Sequence, residues 1–212
     1  MSIIDLSHSI KSGDLVFEGM KMPELKSLRN VKDHGFAITS IEMHSHNGTH
    51  IDAPSHMIDQ AKTLTDFPIS KFHGKAIQIP CHEFANQEIP LSYLLKYEAD
   101  IQQSEFIIFN SGWYKKWNTT DYFDHFPVLS LESAIWLSNF NLKGIGLDII
   151  SIDHIKSETV PVHLTLLNKE ILIIENLNNL DQLGTEFFTF QCFPLKLDRI
   201  DGSPIRAIAM TE

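Results

Sequence analysis

The chain has 212 residues, 43% hydrophobic and 21% charged, with a formal net charge of −10 when histidine is neutral. That length suits one well-buried domain, taken as residues 1–212. The 17 Lys and Arg residues form no basic run of the kind that binds phosphate backbones. No apolar run reaches the roughly 18 to 20 residues of a membrane helix. The N-terminus has no basic, apolar leader, and Cys81 and Cys192 lack metal-knuckle spacing. These features point to a cytoplasmic protein with no nucleic-acid or membrane partner and no disulfide framework.

In chain order, Ile3-Ile4-Asp5-Leu6-Ser7, Ile41-Glu42-Met43-His44 and Ala76-Ile77-Gln78-Ile79-Pro80 predict strands by alternation or short apolar runs. Phe106 to Phe109 predicts a fully buried strand. Ser130 offers an N-cap for a helix running through Ala134 to Leu137. Gly144 to Ile149 predicts another buried strand, His163 to Lys169 a short helix, and Ile171 to Glu175 a strand. The tail from Thr185 to Met210 predicts strands broken by Pro194, Asp201-Gly202 and Pro204. No linker, repeat or charge block interrupts the chain. The pattern is α/β and strand-rich, with helices between some strands.

The chemistry concentrates in HSHNGTHIDAPSH, residues 44 to 56, which holds four of the chain's 11 histidines and an aspartate. A helix would place His46 and His50 on one face, but Asn47-Gly48 is a strong turn signal and Pro54 follows closely. The better reading is a strand ending near His46, a tight turn, and an extended segment from Thr49 to Ala53. In that segment His50 and Asp52 point the same way, and the turn brings His46 beside them. His44 shares a face with His46 and is expected beside the site or hydrogen-bonded to a ligand. Two imidazoles and a carboxylate can reach one cation at about 2.0 to 2.2 Å.

The motif HxGTHxDxPxH, from His46 to His56, resembles the signature of the cyclase family of metal-dependent hydrolases, which includes bacterial kynurenine formamidase and isatin hydrolase. Asp5-Leu6-Ser7, Ser111-Gly112-Trp113 with Trp117, Phe126 to Ser130, Gly146 to Asp153 and Asp201 to Arg206 are similar to further landmarks of that family. The resemblance implies a swivelling β/β/α fold. It implies His46, His50 and Asp52 as metal ligands, and His163 with Glu175, twelve residues on, completing a second position around a bridging Asp52. It implies His56 as the catalytic base, taking a proton from metal-activated water that attacks a small amide and passing it to the departing nitrogen. The cofactor would be Zn²⁺, one or two per subunit, with Mn²⁺ the alternative. The assembly would be a homodimer or homotetramer, for which Trp113 to Trp117 could supply an interface or a pocket wall.

Two departures weaken the substrate assignment. Phe17-Glu18-Gly19-Met20 stands where family formamidases carry a Trp-Pro-Gly-Asp type segment, and His154 stands where they often have proline. Phe17 is still placed to stack on an aromatic substrate. Asp148 and Asp153 are read as turn or cap residues as readily as supports for the site, and are left off it. The favoured function is an arylformamidase acting on N-formyl-L-kynurenine. The alternatives are a hydrolase of another small amide, an isatin-like lactam or an ester, and a non-catalytic metal-binding module.

Overall fold

A computed structural model of the chain describes residues 1–211. Its strands are β1 (Ser2–Asp5), β2 (Glu24–Arg29), β3 (Ile38–Glu42), β4 (His50–Asp52), β5 (His73–Pro80), β6 (Glu88–Ile89), β7 (Phe106–Asn110), β8 (Val128–Leu129), β9 (Gly144–Leu147), β10 (Leu172–Glu175), β11 (Phe188–Gln191), β12 (Gly202–Pro204) and β13 (Ile208–Thr211). Nine of them form one sheet in the order β1-β13-β11-β5-β7-β9-β10-β4-β12. Its middle, β5-β7-β9-β10, is parallel, and its two flanks are antiparallel. The α/β, strand-rich class expected from the sequence is what forms.

Side-chain alternation divides the core between the two faces of this sheet. Along β7, Ile107 and Phe109 join one buried cluster while Phe106 and Ile108 join the other. The first cluster also takes Ala134 and Leu137 from the helix Leu131–Leu137, and Val162, Leu166 and Leu167 from the helix Pro161–Leu167. Ser130 caps the former helix as expected, accepting the Ser133 N–H at 3.1 Å.

This division places the site. Ile51 and Ile174 belong to the second cluster, so His50, Asp52 and Glu175, each one position away, project toward the face that carries the helices. The latter helix starts at Pro161, two residues before the expected His163. Proline at a first helical position needs no N–H partner and has its φ already set.

Two expectations fail for physical reasons. The strand read at 41–44 instead spans Ile38–Glu42, paired with β2, a strand that the sequence pattern did not reveal. His44 consequently lies at the start of the turn, exposed, its backbone N–H engaged by Asn47 Oδ1 at 2.6 Å and its carbonyl by the Asn47 N–H at 3.2 Å. It belongs to neither group of convergent donor atoms. The aromatic segment Trp113 to Trp117 is no open interface either. Trp113 and Tyr114 are buried, Trp113 Nε1 donates to the Tyr122 carbonyl at 3.0 Å, and Trp117 stacks on His8. An aromatic ring with access to its own core is held there before it can serve a partner.

Candidate metal and catalytic centre

The Asn47-Gly48 turn forms as read, with Gly48 at φ +70°. A Cβ on Gly48 would also meet the Ile10 side chain at 2.7 Å, so the position needs glycine for both conformation and space. The turn delivers the chain into β4, where His50 pairs directly with Glu175 of β10 and Asp52 pairs with Gly202 of β12. A strand hydrogen-bonded on both edges cannot drift, and its three residues are buried.

The sequence candidates converge. His50 Nε2 lies 3.4 Å from Asp52 Oδ1 and 3.5 Å from Glu175 Oε2. His46 Nδ1 lies 2.7 Å from Asp52 Oδ1, and His163 Nε2 lies 3.5 Å from Glu175 Oε1. His56 closes the short 3₁₀ turn Pro54–His56, its ring 3.9 Å from that of His46, centre to centre. Two groups of donor atoms therefore form, His46-Asp52-His56 and His50-Asp52-Glu175, which meet at Asp52. His163 approaches through Glu175. The first group contains His56, expected as a base, so geometry alone offers this ring as a donor as well.

A cation fits these residues on one specific observation. Asp52 Oδ2 is buried without any hydrogen-bond partner, a costly condition for a carboxylate oxygen. Neutral imidazoles and carboxylates are the donors that Zn²⁺ and Mn²⁺ accept.

The electrostatics fit the same use. Burial lowers His50 to about 4, keeping it neutral, which is the ligating form. Burial also acts to lower His46 and His163, but carboxylates outweigh it. Asp52 and Asp201 bring His46 up to about 9, and Asp153 and Glu175 bring His163 up to about 10. Burial and the Asp52 charge raise Glu175 to about 7. Asp52 is held low despite its burial, because His46 and His50 flank it. Imidazolium protons thus balance the buried carboxylates where a cation would otherwise do so. His56 is lowered by burial, which leaves it able to accept a proton.

Several supporting residues escaped the sequence reading. Asp153 Oδ2 receives the His163 Nδ1–H at 2.7 Å and the His163 backbone N–H at 2.9 Å, while its Oδ1 receives the Val162 N–H at 3.0 Å. One carboxylate both caps a helix start and turns His163 Nε2 toward Glu175. His50 Nδ1 donates to the Gly48 carbonyl at 2.9 Å, and Asn176 Nδ2 donates to that same carbonyl at 2.8 Å. Asn176 adopts a left-handed φ of 58°, which asparagine tolerates better than most residues. Its side-chain oxygen accepts the Tyr122 hydroxyl at 2.8 Å. Asp148 holds the Ser111 loop through the Ser111 N–H at 3.0 Å and hydroxyl at 2.6 Å, and belongs to neither donor group. The sequence signal for Asp153 was its place just after a buried strand; nothing in spacing marked Asn176.

Beside the donors opens a cavity of about 310 Å³. Phe17, Met20, Met57, Ile150, Ile155 and Val160 form its apolar wall, with His154, Ser151 and Ser157 as polar points. Phe17, the residue expected to stack on an aromatic substrate, lines this cavity. His154, which stands where the family often has proline, belongs to this wall.

The chain is similar to known proteins in sequence and in fold. The Cyclase family model matches residues 4–154. An uncharacterised protein of Methanocaldococcus jannaschii is 32% identical over 211 residues, covering 99% of this chain and all of that one. A kynurenine formamidase of Geobacillus thermodenitrificans is 28% identical over 205 residues, covering 96% and 95% of the two chains. In fold, isatin hydrolase A from Labrenzia aggregata superposes with a TM-score of 0.90 at 24% identity, over 99% of this chain and 93% of that one. Isatin hydrolase A from Ralstonia solanacearum gives 0.88 at 21%, over 100% and 92%. With its motif, its family match across most of the chain and its fold in agreement, the chain belongs to the cyclase family.

Proposed function

We propose that the protein is a metal-dependent hydrolase that cleaves a small amide, with an N-formyl aryl amine such as N-formyl-L-kynurenine as the first substrate to test. The observation that carries this reading is the pair of donor groups sharing Asp52, whose outer oxygen is buried and unpartnered, beside the proton-accepting His56. His46, His50, Asp52 and Glu175 would hold the cation, with His163 oriented by Asp153 to complete the set. When bound, Zn²⁺ or Mn²⁺ lowers the pKa of water and polarises a carbonyl. His56 takes the proton from the attacking water and returns it to the departing nitrogen. The apolar wall excludes bulk solvent and seats an aryl ring, with Phe17 against its face.

A cyclic amide or an ester is the second reading. Among the described residues, the cavity lining includes no Lys or Arg, so beyond the site histidines themselves the carboxylate of kynurenine would find only His154 and the two serines. An isatin-like lactam needs no such partner. Turnover of N-formyl-L-kynurenine by protein stripped of metal and then given Zn²⁺ or Mn²⁺, run beside isatin and a simple aryl ester, tests both. Metal-dependent cleavage of one substrate supports that reading, and tight metal uptake with none cleaved favours a binding module.

The homodimer or homotetramer expected by resemblance is part of the same proposal, but its surface moves. Exposed Leu25, Leu28, Phe36, Ile38 and Ile41 on the β2–β3 hairpin offer the apolar area that Trp113 and Tyr114 do not.

A further inference from the structure

One carboxylate faces the site from the tail of the chain and has no place in the proposed chemistry. Asp201 immediately precedes β12, the edge strand beside β4. Its backbone carbonyl accepts the Ala53 N–H at 2.8 Å, which ties the tail to the residue after Asp52. Its Oδ1 accepts the Ser45 hydroxyl at 3.1 Å, and its Oδ2 lies 2.9 Å from His46 Nε2. The same oxygen is 3.6 Å from His56 Nδ1, beyond hydrogen-bond range.

The next residue is shaped to this arrangement. A Cβ on Gly202 would lie 2.4 Å from His46 Cε1, so glycine here leaves the room the imidazole occupies beside Asp201. His46 also sits in the turn before β4, whereas His50 lies in a strand and His163 in a helix. His50 has the Gly48 carbonyl on its outer nitrogen, and His163 has Asp153. His46 has Asp201.

We propose that Asp201 is a positioning residue for His46: it takes the Nε2–H and thereby presents Nδ1 to Asp52 as the donor atom. The assignment rests on the metal reading above, but the hydrogen bond it describes exists in the protein's own side chains and is testable without metal. A carboxylate behind a ligating histidine fixes the tautomer and ring orientation, and losing one costs about 10 to 100-fold in metal affinity.

The test compares Asp201→Ala, Asp201→Asn and wild type in two measurements. The first is metal affinity by chelator competition, with Zn²⁺ as the probe. Alanine should weaken it by about 10 to 100-fold, and asparagine, whose side-chain oxygen can still accept the Nε2–H, should restore most of it. The second is the ring ¹H–¹⁵N spectrum of metal-free protein labelled at histidine. His46 should show a hydrogen-bonded Nε2–H in wild type and in Asp201→Asn, and lose it in Asp201→Ala. Asp201 is nearly half exposed, and a matched thermal melt confirms that the variants fold. Alanine affinity within two-fold of wild type, equal losses in both variants, or an unchanged His46 signal would each overturn the assignment. Should wild type take up no Zn²⁺, the metal reading fails, and the His46 signal alone decides the role of Asp201.

Discussion

Two extended regions flank the same Asn47-Gly48 turn and differ in nearly everything else. Before it, β2 and β3 pair only with each other, and every residue of both is exposed. After it, β4 is bonded to β10 on one edge and β12 on the other, and all three residues are buried. The exposed strands carry leucine and isoleucine; the buried one carries histidine and aspartate around a single isoleucine. Residue type therefore did not choose the burial; neighbours did. In β4 the polar side chains persist in the interior because each faces another charge or donor, and the one oxygen left over is where a cation fits. In the hairpin, apolar side chains remain in water because a two-stranded ribbon has no second layer, and such a ribbon is marginal by itself.

The contrast can be broken most severely at Asp52. Asp52→Ala should abolish Zn²⁺ uptake by both donor groups, since they share this side chain; equilibrium dialysis reads the stoichiometry. Retained uptake at the wild-type level would remove Asp52 from the centre. His56→Ala should lower the rate by about 10² to 10⁴-fold at unchanged metal content, the ordinary yield of a positioned base. If metal is lost with activity, His56 is a donor, as its place in the His46-Asp52 group allows.

A gentler break is Asp153→Ala. It frees His163 Nδ1 and leaves the Val162 and His163 N–H groups uncapped. Metal affinity should fall about 10 to 100-fold and stability by about 1 kcal/mol, read by chelator competition and by urea melts.

Changing pH sharpens the contrast without mutation. His46 near 9 and His163 near 10 lie above the ordinary 6.5, so metal-free protein holds protons that the unfolded chain has released at pH 8. Their stabilisation is complete below about 6.5 and is lost as pH rises through 9 and 10. The Tm of metal-free protein should fall over that window. Metal competes with the same protons, so uptake should release them and strengthen with pH up to that range; calorimetry in buffers of different ionisation enthalpy counts them.

The smallest effect on the site should come from the hairpin. Replacing exposed Leu25 and Ile41, which face each other across the strands, by serine should change stability by about 0.5 kcal/mol or less each. Metal affinity should not move. Light scattering should report a lower mass if the hairpin carries the contact between copies, and an unchanged mass would send that search to another surface.

The sequence by itself determined the parts that rest on local chemistry. The glycine turn, the alternation that aims His50 and Asp52 to one side, the buried strand at 106–109 and the one that starts at Gly144 but ends at Leu147 rather than Ile149, and the serine cap all follow from backbone conformation and the period of a strand. Those rules act over a few residues and can be read there. His163 and Glu175 came from resemblance, because no local rule links a helix to a strand end twelve residues later. Only the tertiary structure decided the rest. It brought Glu175 opposite His50 and placed Asp201 against His46 from 155 residues away. It turned Asp153 from a turn residue into the partner of His163, set Asn176 behind the Gly48 carbonyl, and left the hairpin outside the core. The physical reason is common to all of these. Strand pairing and burial are settled by which distant segments meet, and a side chain's charge, tautomer and use follow from the neighbours it then acquires.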